Sequence, residues 1–230
     1  MSNNTIKISK ESIETLESLY QINQSLRIVA NKKELKTINP QKTTVVYTSI
    51  EEEFPRDINI YDLREFITVL NIIKEPELDV SDDKFILIKS PDGGQKLRYA
   101  DAEASLIQSY FEKDVKLPDP DITVTISSNT LKSVQKAAQA LNLPYIGFVS
   151  ENGKIMFKAF AKNNGSNDET NGYSENVGET EDTFEMFYPA AALNILSGDC
   201  QFEISKKLIS RVTSGKTIFY ISLDPKSKFE

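Results

Sequence analysis

The sequence contains a single cysteine, Cys200, and no histidine in 230 residues. One cysteine cannot form a disulfide within the chain, and without histidine neither a Cys/His zinc site nor a histidine general acid or base can be built. Cys200 lies between predicted strands and is predicted to be a small core residue. Most enzyme mechanisms are therefore excluded, and we predict no catalytic residue, metal ligand or cofactor.

Long apolar runs are also absent. No segment approaches the ~18 residues that a transmembrane helix needs, and the start "MSNNTIKIS" lacks the basic-then-apolar pattern of a secretion signal. Lys and Arg total 27 against 34 Asp and Glu, a net charge of -7. This balance argues against a protein that coats nucleic acid by bulk charge, although a local basic surface is compatible with it. We expect a soluble intracellular protein that does not contact a membrane.

Two short stretches of the chain share one pattern. "IKISKESIETL" (Ile6 to Leu16) and "VTISSNTLKSV" (Val124 to Val134) align at an offset of 118, apolar on apolar, with Ser9 falling on Ser127. Each stretch alternates like a strand, continues with a serine suited to an N-cap, and then has apolar residues at helical spacing. The chain length fits two domains, so the repeat predicts a duplicated domain.

The pattern of the first half of the chain predicts one strand, one helix and three strands, in that order, and then the same order again. The second copy begins at "RDINIYDLREFITVLNIIKEP", where Pro76 ends the helix, and "SPDGG" predicts a hairpin turn. After residue 121 the order restarts, and "TFEMFYPAAALNILSGD" predicts a strand followed by a short helix. The polar stretch Lys162 to Thr180 is predicted to be a long loop or a mobile edge.

The domain boundaries follow from a break in this order. "EKDVKLPDPD" has two prolines and alternating charge, which is typical of an extended tether. We therefore predict a first domain at 1–111, a connector at 112–121 and a second domain at 122–230. The fold class is α+β, with each domain made of a repeated β-α-β-β-β unit.

This plan resembles the DNA sliding clamps, the processivity factors of DNA polymerases, and among them the T-even phage type. The resemblance covers essentially the whole chain. It is carried by a chain length near that of two-domain clamp subunits and by the order of four segments: "IYDLREFITVLNII", "ISSNTLKSVQKAAQALNL", "ENGKIMFKAF" and "TFEMFYPAAALNILSGD".

The resemblance implies a homotrimeric ring around duplex DNA, with helices lining the hole and antiparallel sheets outside. Such a clamp holds the replicative polymerase on its template without reading sequence, is placed on DNA by an ATP-driven clamp loader, and works in the cytoplasm of the infected host cell. A second hypothesis is a non-catalytic adaptor of the same repeated fold that does not encircle DNA. The mass in solution distinguishes the two.

The candidate DNA-facing residues are cations opposite the apolar stripes of the helices: Lys10, Arg64, Lys74, Lys132 and Lys136. The alternative for each of them is an ordinary solvated charge on an amphipathic helix. Lys132 and Lys136 lie one turn apart with no acidic partner on their helix, which favours a DNA role for this pair. Glu11, Glu14 and Glu17 weaken the case for Lys10.

The family also implies a pocket for the C-terminal tail of the polymerase, between the connector and the C-terminal strand. Its candidate residues are Ile38, Val45, Leu117, Pro118, Leu223 and Pro225. The alternative is that Leu117 only holds the connector to the domain edge. For the trimer we predict pairing of a last strand of the first domain, near Ala104 to Tyr110, with an edge strand of the second, near Tyr173 to Gly178.

Overall fold

The computed structural model describes residues 4–162 and 171–230, and the chain divides into two compact units, residues 1–114 and 115–230. The described part of the first unit contains eight strands and two α-helices, in the predicted order of strand, helix and three strands, twice. They are β1 (Thr5–Lys7), α1 (Lys10–Tyr20), β2 (Leu26–Ile28), β3 (Glu34–Ile38), β4 (Thr44–Ser49), β5 (Ile58–Ile60), α2 (Leu63–Ile72), β6 (Glu77–Asp79), β7 (Phe85–Lys89) and β8 (Lys96–Ala100).

The first unit forms one four-stranded antiparallel sheet and two smaller strand pairs. The sheet has the order β1-β6-β7-β8, whereas β2 pairs with β5 and β3 pairs with β4. The predicted hairpin at "SPDGG" joins β7 to β8, and Gly93 in its turn has a φ of 71°, which suits glycine because it has no Cβ. Strand β8 is therefore the outer strand of its sheet.

The second unit repeats the same order. Its elements are β9 (Ile122–Ile126), α3 (Ser128–Ala140), β10 (Tyr145–Glu151), β11 (Lys154–Phe160), β12 (Gly172–Glu179), β13 (Phe184–Pro189), α4 (Ala190–Leu193), β14 (Cys200–Ser205), β15 (Ile209–Ser214), β16 (Thr217–Ser222) and the short β17 (Lys228–Phe229). One sheet has the order β12-β11-β10-β13-β17, and the strands β16, β15, β14 and β9 are neighbours in that order.

Serine caps begin two of the long helices, as the repeat predicts. The Ser9 hydroxyl accepts the N–H of Ser12 at 3.1 Å, and the Ser127 hydroxyl accepts the N–H of Thr130 at 3.1 Å. Each bond satisfies one of the backbone donors that the first helical turn leaves without a partner. The apolar stripes behind the caps are buried, with Leu16 and Leu131 both fully inaccessible.

Aromatic packing fills the core of the second unit. Phe148 and Phe157 stack with their ring centroids 4.8 Å apart, and Phe202 meets Phe148 edge-on at 5.0 Å. Gly147 permits the close pairing of β10 with β13, since a Cβ there would lie 2.4 Å from the Cβ of Phe187. Cys200 is buried, which confirms its prediction as a core residue.

Part of the polar stretch predicted as a loop is a strand. Residues 172–179 form β12, which pairs with β11 from Gly172 opposite Phe160 to Glu179 opposite Lys154. The loop alternative is wrong here and the edge alternative is confirmed, because backbone hydrogen bonds to β11 hold the strand and do not depend on apolar side chains. The prediction for residues 163–170 lies outside the described residues.

Candidate functional site

Helices α1 and α2 of the first unit present their exposed residues on one surface. Asn71 of α2 donates a hydrogen bond to Glu17 of α1 at 3.4 Å, which joins the two exposed faces. We call this surface the unit-1 helix face. Its charged members are Lys10, Glu11, Glu14, Glu17, Arg64 and Glu65. This surface therefore carries four carboxylates and two cations.

Lys10 and Arg64 have different surroundings on this face. Lys10 lies 3.9 Å from Glu14, and its side chain is 92% exposed. Arg64 is exposed in the first turn of α2 and has no ion pair with any described residue. The charge of Lys10 is consequently partly neutralised by a carboxylate one turn away, as the acidic residues on its helix predict.

Lys74 does not lie on a helix. Helix α2 ends at Ile72, because Ile73 adopts an extended conformation that closes the helix. The backbone N–H of Lys74 then donates to the side chain of Gln95 at 3.1 Å, beside the β7–β8 hairpin. The prediction that places Lys74 on the same helix face as Arg64 is therefore wrong, since two non-helical residues turn the chain toward the hairpin.

Helix α3 of the second unit has a basic surface. Lys132 and Lys136 are exposed one turn apart, and α3 contains no acidic residue. Neither lysine is within 4 Å of a carboxylate in the described parts of the chain. Asp199 lies at the start of the helix, where it accepts the Ser128 N–H at 2.7 Å. The two lysines therefore remain available to an anionic ligand.

The strand β8 is a free sheet edge of the first unit, whereas the predicted segment at Ala104 to Tyr110 is not. That segment contains a 3₁₀ turn at Ala104–Leu106 and then packs inward, with Ile107 and Ser109 buried. The carbonyl of Ser109 accepts the N–H of Ile38 at 3.1 Å. The prediction of an edge strand here is wrong, because the backbone is already bonded to its own unit.

The two outer strands differ in charge. β8 has Lys96 and Arg98 and no acidic residue, whereas β12 has Glu175 and Glu179 and no basic residue. β12 is the outer strand of its sheet, and it contains the segment Tyr173 to Gly178 predicted from the sequence. An unpaired edge offers backbone donors and acceptors to another strand. β8 and β12 are thus edges able to extend their sheets, and the two edges carry opposite charge.

The predicted pocket residues differ in how accessible they are. Ile38 and Val45 lie opposite one another in the β3–β4 pair, with Ile38 half-buried and Val45 buried. Leu117 and Pro118 are half-buried and Pro225 is exposed. Leu223 is only 5% exposed, and its N–H donates to the carbonyl of Leu208 at 3.0 Å. The prediction of Leu223 as a contact residue conflicts with this burial, because its side chain is already packed in the second unit.

Ile38 also borders a groove within the first unit that the sequence did not reveal. The groove has a volume of about 910 Å³. Its apolar lining residues are Tyr20, Ile22, Ile38, Pro40, Tyr61 and Leu106. Tyr61 is 63% exposed and Leu106 51% exposed, so both present apolar surface to solvent. Tyr61 directly follows the buried strand β5. An aromatic residue just before the start of a helix was the sequence signal that could have indicated this groove.

Both ends of the predicted connector are bound to their own unit. At the start, the Lys36 amine lies 4.9 Å from the centroid of the Phe111 ring and 3.3 Å from a carboxylate oxygen of Asp114. At the end, the Asp121 carboxylate accepts the backbone N–H of Lys206 at 2.8 Å, which lowers the pKa of Asp121. The stretch able to act as a tether is therefore shorter than 112–121.

The described residues contain neither a metal-binding cluster nor a membrane-spanning helix. Residues 4–162 and 171–230 contain no group of three or more His, Cys, Asp or Glu side chains placed to hold a metal ion. No helix in those ranges is long and apolar enough to span a membrane.

Comparison with known proteins identifies similar chains along almost the whole length. No protein-family model matches. A protein named Sliding clamp from Vibrio phage KVP40 is 31% identical over 225 residues, covering 95% of this chain and 99% of the relative. The Sliding clamp of Escherichia phage RB69 is 23% identical over 157 residues, 68% of each chain.

Among solved structures, Proliferating Cellular Nuclear Antigen from Entamoeba histolytica matches with a TM-score of 0.69 at 14% identity. The match covers 96% of this chain and 98% of that one. The predicted clamp fold is thereby confirmed.

Proposed function

The chain belongs to the family of phage sliding clamps, and we propose that it works as the processivity clamp of phage DNA replication by encircling duplex DNA as a homotrimeric ring. The likeness to a relative along 95% of the chain carries this proposal. The role needs no catalytic residue, because a closed ring stays on DNA by topology. It places the protein in the cytoplasm of the infected cell.

The ring would close through the two free sheet edges. β8 of one copy would pair with β12 of the next, so that each copy uses one edge in each direction. Opposite charges on the two edges favour this contact over β8–β8 or β12–β12 pairing, since either of those would bring like charges together. The basic pair on β8 and the acidic pair on β12 therefore support a head-to-tail closure.

Apolar side chains beside the edges support the same contact. Tyr173 lies in β12 itself, and Ile72 lies in the last turn of α2, whose Phe66 packs against Tyr99 of β8. Tyr173 is 37% exposed and Ile72 is 64% exposed. Burial of such surface would add to the backbone bonds of the paired strands.

The helix cations Lys10, Arg64, Lys132 and Lys136 would line the hole, whereas Lys74 lies off the helices. Weak, sequence-independent attraction suits a ring that slides, because many tight phosphate contacts would hold it in place. The polymerase would dock its C-terminal tail near the connector, with Leu117 and Pro118 as apolar contacts. An ATP-driven loader would open and place the ring.

Two measurements test this function. Light scattering at micromolar concentration should give three times the chain mass of 25.9 kDa. After loading on a nicked DNA circle, the protein should co-elute with the circle and should be released when a nuclease makes the circle linear. A monomer that fails to remain on circular DNA would instead support the hypothesis of an adaptor of the same fold.

A further inference from the structure

The helices of the two units differ in charge, although they come from the same repeated pattern. The unit-1 helix face has four carboxylates and two cations, a net charge of -2 from these side chains. Helix α3 has Lys132 and Lys136 and no carboxylate, a net charge of +2. Helix α4, "AAAL", adds no charge. The asymmetry lies in exposed residues, so packing does not require it.

We propose that DNA inside the ring is held by the three copies of α3 alone, and that the unit-1 helix faces keep the duplex away from themselves. This inference rests on the proposed function, because it concerns DNA inside a closed ring. Six helix-lined segments would then alternate between attraction and repulsion around the hole. The duplex would therefore contact the ring at three helices, one in each copy, and not at six segments.

The contacts of the two cationic sites support this division. The amine of Lys10 has Glu14 at 3.9 Å, so a phosphate that approached it would also approach that carboxylate. Lys132 and Lys136 have no such neighbour in the described residues, and their helix residues Ser133 and Gln135 are uncharged. Between exposed charges the interaction is felt over ~10 Å at 0.1 M salt, which spans a helix turn and its neighbours.

The acidic face also has a defined structural basis. Glu17 is held toward α2 by the hydrogen bond from Asn71, so its charge stays over the shared surface. Glu14 and Glu17 lie on the exposed side of α1, while Ile13 and Leu16 face the core. Replacing these glutamates would therefore change the surface charge without removing packing.

Lysine acetylation of the loaded ring tests the proposal on the native protein. Ring loaded on a nicked circle and free ring are treated with an acetylating reagent, and each lysine is quantified by mass spectrometry. We expect DNA to slow the acetylation of Lys132 and Lys136 severalfold and to leave Lys10 unchanged relative to Lys32, an exposed lysine on the turn before β3. The protection should disappear near 1 M salt, where charges are screened beyond ~3 Å.

A charge variant gives the second arm. In Glu11→Gln/Glu14→Gln/Glu17→Gln we expect Lys10 to become protected by DNA, because the repulsion is gone. Equal protection of Lys10 and Lys132 in the unaltered ring, or no protection of Lys132 and Lys136 in rings that remain on the circle, would overturn the inference. If no ring remains on the circle, the proposed function fails and the inference fails with it.

Discussion

Tyr99 packs edge-on against Phe66, with ring centroids 5.0 Å apart and the ring planes at 66°. Tyr99 belongs to the outer strand β8 and Phe66 to helix α2, and the Tyr99 hydroxyl also donates to the carbonyl of Asp62 at 2.9 Å. The strand edge and the helix are therefore joined by both an apolar contact and a hydrogen bond. A second copy of the chain that pairs with β8 would therefore contact a strand that is held firmly against helix α2.

Tyr99 should make stability fall at alkaline pH. Burial raises the pKa of Tyr99 from 10.0 to about 12. The folded state thus favours the neutral hydroxyl. The contribution of Tyr99 to the free energy of unfolding is therefore complete below pH 10 and is lost as pH rises from 10 to 12. Tyr99→Phe should lose about 1 kcal/mol at pH 8 with its hydrogen bond, and its unfolding free energy should then decline less steeply above pH 10.

Urea unfolding at a series of pH values measures both effects. Tyr61→Phe is the control, because Tyr61 is 63% exposed and its ring lies at the surface. Parallel declines above pH 10 in Tyr99→Phe and in the unaltered chain would contradict the assignment.

Charge reversal on one edge should weaken the ring. Lys96→Glu/Arg98→Glu would place acidic side chains on β8 against Glu175 and Glu179 of the next copy. We expect the dissociation constant of the trimer to rise about tenfold, because like charges across an interface both repel and lose their pairing. Sedimentation equilibrium measures the change.

A second reversal should restore the contact. Adding Glu175→Lys/Glu179→Lys to that variant inverts both edges, so the attraction returns with opposite sign. Lys32→Glu/Lys33→Glu is the matched control, since it makes the same charge change on the turn before β3. If the inverted chain dissociates as readily as the first variant, β8 and β12 do not face one another.

Local signals in the sequence explain most of the fold. The caps at Ser9 and Ser127 were predictable because a cap involves only residues three apart in the sequence. The four repeated units were predictable from the alternation of apolar and polar residues in the strands and from the helical spacing of apolar residues. The strand β12 was predicted only as an edge segment near Tyr173 to Gly178, because what holds it is its pairing with β11 from Gly172–Phe160 onward, with a register shift near Ile155. Its polar side chains carry no trace of that pairing.

The candidate site was predictable where it depends on one continuous stretch of chain, as it does for α3 and for the edge segment Tyr173 to Gly178. The basic face of α3 follows from the spacing of Lys132 and Lys136. The link between Glu17 and Asn71 joins residues 54 positions apart, and no local pattern encodes it. The burial of Leu223 is likewise a tertiary property, since a leucine just after a strand has the same local pattern whether it is packed or exposed.

Leu117 should carry part of the binding of the polymerase tail. It is half-buried beside an otherwise charged stretch, and a few apolar anchors supply most of the energy in such interfaces. We expect Leu117→Ala to weaken the binding of the polymerase's C-terminal peptide at least about tenfold, measured by calorimetry. Trimer mass should not change.

Leu223→Ala is a poor test of the same pocket. Because Leu223 is 5% exposed, its truncation should lower the unfolding free energy by about 2–5 kcal/mol and confuse binding with folding. Lys116→Ala is the better control, since Lys116 is exposed next to Leu117. Equal peptide affinity in Leu117→Ala, Lys116→Ala and the unaltered chain would place the docking site elsewhere, with the groove at Tyr61 the next surface to examine.

Lys36 should hold the start of the connector on the first unit. Its side chain is 14% exposed, and its amine lies 4.9 Å from the Phe111 ring centroid and 3.3 Å from the carbonyl oxygen of Glu112. Arg27 lies over the neighbouring Tyr110 ring at 4.6 Å and should keep that residue in place. Lys36→Met keeps the length of the side chain and removes only the charge and its hydrogen bonds.

Limited trypsin digestion measures the release, because Lys113 lies within the held segment. The cation–π contact and its accompanying hydrogen bond contribute about 1 kcal/mol, so Lys36→Met should raise the open fraction, and with it cleavage after Lys113, about fivefold. Lys32→Met is the control, since it removes an exposed lysine that has no ion pair in the described residues. Equal cleavage in the two variants would mean that the packing of Phe111 edge-on against Tyr47, and not the Lys36 charge, holds this segment.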